Sequence, residues 1–427
     1  MNLRKNLDTT NAIKAMNFLG SWLFQISGHY ERPMDILLIF PRYDILNLEC
    51  LFVFMCGEVG EQMIKTLRIQ NFRCFQDLLV KDLSPITLFG GRNNSGKSAI
   101  LEAVFLNFGY RNPNIFFALA AGRNGNGNLQ ATPERIWNPL FFDFNQTNSF
   151  SFSVTRENNV KSLLSMEKVA DENTSLDINA GTVTGILKQG YDPQFLDRHF
   201  YALQYTNSIG KHKVQGRFSF ENTQIRHVSV SSKKTIEDFP FVKVSFYKNV
   251  YVVDNATIAE WVSKFILDGK KEMLLDVLRV FDSRILDITT IVENNLPYVY
   301  IILTDNVKMP ITYMGDGINK MLQLLLLVLT SPNGIVLLDE IENGFHYSVY
   351  PKVLKTLYEA GLKMKCQLLI TTHNLDILRQ SALTMKELGQ LSSLCYERVS
   401  ASPKGRNTYA FSGDDLEAAL DAELEVR

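Results

Sequence analysis

Gly91-Arg92-Asn93-Asn94-Ser95-Gly96-Lys97-Ser98 fits the pattern G-x-x-x-x-G-K-[ST] at every fixed position. The stretch decides the fold because its flanks fit as well. Ile86 to Phe89 is a short apolar run that reads as a buried strand, and Ser98 to Phe105 reads as the helix that follows. A surface glycine turn with a chance lysine would have neither neighbour. In a strand–loop–helix setting, glycines let backbone N–H groups close around phosphates, and the helix N-terminus adds the positive end of its dipole. The pattern therefore predicts a nucleoside triphosphate site. Lys97 would reach the terminal phosphates, and the Ser98 hydroxyl would take a place on Mg²⁺.

Working outward, such a loop calls for an acidic partner, and one stands about 240 residues downstream. Gly334 to Leu338 is a continuous apolar run, as expected of a strand covered on both faces, and it ends in Asp339-Glu340. Asp339 is placed to hold Mg²⁺ directly or through water, and Glu340 is the expected general base. A third apolar run, Gln367 to Thr372, ends in His373 after a spacing that fits one helix, Tyr347 to Ala360. In ABC-type ATPases a switch histidine after such a strand lies beside the γ-phosphate. The three elements in order predict an α/β fold: an ABC-type P-loop head, a mixed sheet flanked by helices.

Further blocks resemble a known family. Tyr313-Met-Gly315-Asp316-Gly317-Ile-Asn-Lys is similar to the signature loop of RecF/OLD-like, AAA-type ABC ATPases. Asp339-Glu-Ile-Glu-Asn-Gly-Phe-His346 resembles the D-E-I-E-N-G-[LF]-H stretch of the same bacterial proteins, and Ile64 to Arg73 resembles their opening strand. The resemblance spans Met63 to about Leu378 and is weakest from about Thr132 to Val252. It implies ATP and Mg²⁺ as ligands, and Gly91 to Ser98 with Arg73 around the nucleotide. It also implies Gly315, Asp316 and Gly317 acting in trans within an ATP-dependent homodimer. Gln146 and His346 are further candidates. The L-S-G-G-Q of transporters is replaced here by Gly315-Asp-Gly-Ile318, which speaks against a transporter subunit.

Composition bounds the alternatives. With 46% hydrophobic and 21% charged residues, the chain reads as soluble and globular, long enough for two or three lobes. A net charge of −1 gives no global pull toward nucleic acid, so DNA contact would need a local patch. The basic concentration at Lys211-His-Lys213, Arg217, Arg226-His227 and Lys233-Lys234 reads either as such a patch or as a solvated β-surface. The five cysteines have no C-x-x-C spacing and the six histidines no metal-binding spacing, which suggests a reducing compartment without a zinc site. Leu322 to Leu329 is too short to span a bilayer, and no signal peptide is evident. A cytoplasmic protein is expected.

Four segments are predicted. Residues 1–62 form an N-terminal extension, either a start placed too far upstream of Met63 or an accessory segment. Residues 63–150 carry the first part of the head, with strands at Ile64–Phe72, Leu78–Val80 and Ile86–Phe89 in one mixed sheet and a flexible loop at Gly122–Gly127. Residues 151–300 make a β-rich and helical insertion between phosphate loop and signature loop. It has strands at Phe150–Thr155, Gly216–Glu221 and Phe241–Val253, and two helices within Ala256–Val280. Residues 301–427 complete the head. About 215 residues between Ser98 and Gly315, without persistent heptads, exclude a long coiled-coil arm. With 54 residues after His373 and an acidic stretch from Asp414 to Glu425, the chain is not expected to act as a nuclease by itself. Three functions stay open: a nucleotide-gated sensor or regulator with a separately encoded effector, often in anti-phage (antiviral) defence; a RecF-like ATPase on duplex DNA; and, disfavoured, a transporter subunit.

Overall fold

The computed structural model describes residues 63–124, 132–170, 201–221, 224–229, 242–248, 254–402 and 405–424. The chain divides into Met1–Asn47 and Leu48–Arg427, and every described residue belongs to the second unit. The expected extension 1–62, the end of the expected loop at Gly122–Gly127, and Lys233-Lys234 lie outside the described residues.

Three strands come first, β1 (Ile64–Phe72), β2 (Phe75–Val80) and β3 (Ile86–Gly90). Helices α1 (Lys97–Gly109), α2 (Asn114–Asn124) and the short α3 (Pro133–Ile136) follow. Then come β4 (Phe150–Arg156), β5 (Lys161–Ala170), β6 (Tyr201–Ile209), β7 (His212–Glu221) and β8 (Gln224–Ser229). A short β9 (Val244–Tyr247) precedes α4 (Asn255–Leu267) and α5 (Lys271–Arg279). Strands β10 (Ile285–Glu293), β11 (Leu296–Leu303) and β12 (Lys308–Pro310) lead to α6 (Asp316–Leu329). The rest alternates: β13 (Ile335–Leu338), α7 (Tyr350–Met364), β14 (Gln367–Thr371), α8 (Leu375–Glu387), then β15 (Leu394–Ser402), β16 (Gly405–Ser412) and α9 (Gly413–Asp421).

These elements make the α/β architecture that the motifs predict, mixed sheets flanked by helices. One sheet has the order β16-β15-β3-β14-β13-β9, parallel throughout except for the edge strand β16. Strands β3, β13 and β14 are buried at every position, the pattern of a parallel sheet covered on both faces. Alternate side chains divide between two cores. Val336, Leu338, Leu368 and Ile370 pack with α6, α7 and α8, whereas Ile335, Leu337 and Leu369 pack with α1 and the second sheet. Leu322 to Leu329 are all buried in the first core, which explains that intensely apolar run without a membrane. Each such side chain contributes about 1.5–3 kcal/mol by leaving water. No helix among the described residues is long and apolar enough to cross a membrane.

The second sheet is antiparallel, in the order β2-β1-β4-β5-β6-β7-β8. It corrects two expectations. Strands β1 and β2 do not share a sheet with β3, because their partly exposed patterns suit a sheet with one solvated face while β3 is buried throughout. The boundary expected at 150 falls inside this sheet, since β4 pairs with β1 from Gln70↔Ser151 to Ile64↔Arg156. A third correction concerns Phe241–Val253. Its described strand β9 joins the parallel sheet beside β13, with Leu338 opposite Tyr247. Helix α2 also runs on through Gly122 to Asn124, where a loop was expected to begin. The tail after His373 supplies β15, the parallel neighbour of β3, and the acidic stretch opens as α9 behind a Ser412/Asp415 capping box.

Candidate active site

The phosphate-loop glycines are required by geometry. Gly91 sits at φ +132°, and a Cβ there would lie 2.2 Å from the Val399 carbonyl oxygen. Gly96 sits at φ +111°, where a Cβ would meet the Phe75 ring at 2.5 Å and Cys74 Sγ at 2.9 Å. Helix α1 starts at Lys97, and the Ile100 amide donates to the Gly96 carbonyl at 3.1 Å. Lys97 Nζ folds back to donate to the carbonyls of Gly91 (2.8 Å) and Arg92 (3.0 Å). Burial lowers its pKa, while Glu342, Glu340 and Asp339 oppose that shift. The ammonium is thus held beside the loop with three carboxylates near it.

Register brings the remaining motifs to the same end of the sheet. Leu338 lies opposite Ile370, and Ile370 opposite Leu88, so the segments that follow β3, β13 and β14 leave side by side. Ligands of open parallel sheets bind at that carboxyl end. Ser98 Oγ donates to Asp339 Oδ1 at 2.8 Å, and Thr371 Oγ1 donates to the same oxygen at 2.6 Å. The Glu340 amide donates in turn to Thr371 Oγ1 at 2.8 Å. Burial raises the Asp339 pKa, and its bonds from Thr371 and Ser98 pull it back. A hydroxyl and a carboxylate in contact form a hard-oxygen pair, which fits Mg²⁺ held by few protein ligands and completed by phosphate oxygens.

Glu340 occupies the left-handed region at φ +51°, and its exposed side chain accepts from Asn343 Nδ2 at 2.6 Å. His373 is half-exposed (48%) and stands 2.7 Å from Glu342 Oε1 through Nδ1. The same oxygen accepts from the His373 amide at 2.7 Å. Glu342 is only 6% exposed, and its Oε2 has no hydrogen-bond partner among the described residues. Close by, Lys320 of α6 is 7% exposed and donates to the carbonyls of Ile341 (3.1 Å) and Asn343. Its ammonium lies 4.9 Å from the Phe345 ring centre and 5.4 Å from that of Tyr247. Burial lowers the Lys320 pKa to about 8 against the opposing pull of Glu342 and Glu340.

Sequence reasoning missed Thr371, Lys320, Glu342 and Asn343. A signal existed for Glu342 and Lys320, since each is a charge set among residues that read as core. The structure brings together the loop 91–98, Asp339 and Glu340, with His373 joined through Glu342. Other candidates lie elsewhere. Arg73 is turned into a buried ion pair with Glu102 of α1 (3.0 Å), whose second oxygen meets Lys248 at 3.0 Å, and it also donates to the Pro139 carbonyl at 2.9 Å. Its guanidinium thus braces α1 through Glu102, five residues beyond Lys97. Gln146 accepts from Lys168 at 2.7 Å, and His346 caps the turn before α7 through Ser348 at 2.9 Å. Gly315 and Asp316 are exposed at the start of α6, Gly315 with open space where a Cβ would be. Among the described residues no hydrogen bond links Gly315, Asp316 or Gly317 to Gly91–Ser98.

Family comparisons agree with this geometry. Residues 63–159 match the family described as "AAA ATPase domain", and residues 214–379 match "AAA domain, putative AbiEii toxin, Type IV TA system". The chain carries AAA-type ATPase domains. The first match holds the phosphate loop, and the second holds Gly315–Gly317, Asp339, Glu340 and His373. A Helicobacter pylori protein named ATP/GTP phosphatase is 22% identical over 331 residues, 74% of this chain and 86% of that protein. An uncharacterized protein of Methanocaldococcus jannaschii is 46% identical over 44 residues, 10% of this chain and 20% of that one. Among solved structures, an Smc head bound to the C-winged helix domain of ScpA has a TM-score of 0.41 at 13% identity, covering 84% of this chain and 99% of that one. The SMC head domain of Thermotoga maritima has a TM-score of 0.36 at 12% identity, covering 82% and 99%.

Proposed function

We propose that this chain hydrolyses ATP as an ABC-type ATPase and serves as a nucleotide-gated regulator. The observation that carries the reading is the meeting of Ser98 and Thr371 on one oxygen of Asp339, with Glu340 next in the chain. Lys97 and the loop 91–98 would hold the β- and γ-phosphates. Ser98 and Asp339 would hold Mg²⁺, which when bound draws charge from the phosphate oxygens. Glu340 would take a proton from the attacking water, so that a new P–O bond forms as the bond to the bridging oxygen breaks. Because Nδ1 of His373 donates to Glu342, its unprotonated Nε2 would be the nitrogen left to accept a hydrogen bond from the attacking water beside the γ-phosphate.

Gly315 and Asp316 are exposed, and among the described residues no hydrogen bond ties the loop 315–317 to its own phosphate loop, so the site would be completed by the same loop of a second copy, in an ATP-dependent homodimer. The RecF/OLD-like resemblance of Gly315–Lys320 and Asp339–His346 supports the regulatory role. A separately encoded effector and a place in anti-phage defence are in keeping with the toxin-system description of the second family. The cytoplasm would be its compartment. Glu340→Gln tests the reading: the variant should bind ATP, lose phosphate release, and accumulate as dimer with ATP-Mg²⁺ by light scattering. An unchanged mass with and without ATP-Mg²⁺ removes the gated dimer. Full phosphate release by the variant removes Glu340 as the base.

A second reading, a RecF-like ATPase on duplex DNA, is favoured by one observation. Lys213 and Arg217 fall on the same, outward face of β7, and Lys211 is exposed at the adjoining turn. His227 leaves that patch, because its ring stacks on Phe218 and meets the Tyr205 hydroxyl at 2.7 Å. Duplex affinity that falls steeply with salt, and more weakly so in Lys213→Ala, would favour this reading.

A further inference from the structure

A lysine buried among neutral acceptors is costly to keep. Lys320 is packed on two backbone carbonyls and two aromatic faces, with no carboxylate in hydrogen-bond contact among the described residues. An apolar side chain of similar length would fill the same space at a lower desolvation cost. Its position in the chain suggests what it does. Helix α6 begins at Asp316, so Lys320 stands about one turn, roughly 6 Å along the axis, beyond the exposed Gly315-Asp316. The two carbonyls it grips, Ile341 and Asn343, are those on either side of Glu342. Glu342 in turn takes both the amide and Nδ1 of His373 on one oxygen. An unbroken line of contacts therefore runs from the loop at the start of α6, through Lys320 and Glu342, to the histidine at the end of β14.

We propose that Lys320 and Glu342 are positioning residues that tie the loop 315–317 to His373, so that engaging this loop on one side of the chain sets the ring of His373 on the other. The inference rests on the proposed ATPase reading for its purpose, but its geometry is independent of turnover. Lys320 holds the turn 341–343 against α6. Glu342 fixes the histidine as the Nδ1-protonated tautomer and leaves Nε2 bare. A shift of α6 would move the carbonyls flanking Glu342, and with them the one oxygen that orients the ring. Two discrete arrangements of α6 would give two arrangements of His373.

The test uses the full chain with ¹⁵N-labelled histidine, His373 being assigned by its disappearance in His373→Gln. The expected spectrum at pH 8 has a protonated Nδ1 and an unprotonated Nε2 at His373. Glu342→Ala should bring the two nitrogens toward averaged shifts. Glu342→Gln, which keeps an acceptor oxygen and the side-chain shape, should retain most of the difference and guards against a variant that fails to fold. Lys320→Met should also average the two signals although Glu342 is intact. In turnover, Glu342→Ala and Lys320→Met should lower kcat by about 10- to 100-fold, the usual cost of losing a group that orients another. KM for ATP should stay within about twofold in Lys320→Met, since that ammonium is bonded to the Ile341 and Asn343 carbonyls and not to the loop 91–98. A wild-type His373 protonated on Nε2, or one unchanged by Glu342→Ala, overturns the link to the histidine. Averaged signals in Glu342→Ala with unchanged ones in Lys320→Met overturn the link to α6. A wild-type protein without ATP turnover would defeat the proposed function, and the histidine spectra would still decide this inference.

Discussion

In the six-stranded sheet β3, β13 and β14 are buried at every position, and the chain leaves all three at one end, where Ser98, Asp339 and Thr371 meet. In the seven-stranded sheet β4 alternates between buried and half-buried positions, and its strands contribute none of the hydrogen bonds around Asp339. One sheet spends its strands on bringing distant loops together. The other closes the core over α1 and turns its remaining face to solvent. The difference means that damage to the first should reach the chemistry, while damage to the second should be felt as stability alone.

The sharpest way to break that contrast is Lys97→Ala. ATP affinity should fall by roughly 10³-fold with the fold retained, because a charge facing other charges is removed from a half-buried place. Calorimetry on the folded variant checks it, and unchanged affinity would dissolve the distinction between the two sheets. Glu340→Gln should leave that affinity alone and slow turnover by about 10²-fold, read as phosphate release. Leu164→Ala in β5 probes the other side. It should cost about 2–4 kcal/mol in denaturant unfolding while the folded protein binds ATP as before. A loss of affinity there would show that the seven-stranded sheet also shapes the site.

The smallest effect is a slope with pH. Glu397 of β15 is 1% exposed, and burial pushes its carboxyl up to about 7, with Asp82 adding to the shift and Thr408 opposing it. A carboxyl raised in the folded state binds its proton more tightly there than in the unfolded chain. Its contribution is therefore fully present below about pH 4.5 and is lost as pH rises through about 7. Glu397→Gln should flatten the decline in unfolding midpoint between those values. An equal decline in the variant would assign the slope to other groups.

The sequence made the site's fixed points legible because chemistry restricts them. Phosphate loops need glycine at Gly91 and Gly96, and a strand covered on both faces must be apolar up to its last residue, as before Asp339. Thr371 was not legible, since a threonine at the end of a strand is ordinary until register sets it beside Asp339. Lys320 and Glu342 carry charge in apolar company, but what they touch depends on how α6 crosses the turn after β13. What Arg73 touches was not legible either, because the motif gives its place in the chain, while the buried Glu102 decides which partner its guanidinium meets. Likewise the partly exposed pattern of β1 and β2 shows one solvated face but not which strands lie beside them. The tail was read by its acidic composition, which hides β15 and β16. The function classes narrowed in the same way: phosphate chemistry shows in local sequence, whereas partners are chosen by surfaces that form only on folding.

The neighbours of β3 set a timetable. Ile86 pairs with Leu368 on one side and Leu394 on the other, and Gln367 holds the backbone of Ile64 through its side-chain amide. A ribosome adding about 5–20 residues per second reaches β14 roughly 15–60 s after β3 has emerged. During that interval the strand that carries the phosphate loop has neither parallel partner, and both its edges are open to stray pairing. Asp339 is made shortly before β14, and Thr371 only with it. The newborn chain therefore has a nucleotide-shaped sequence long before it has a nucleotide site, and the first ATP it can hold certifies that its far end has been made and folded back.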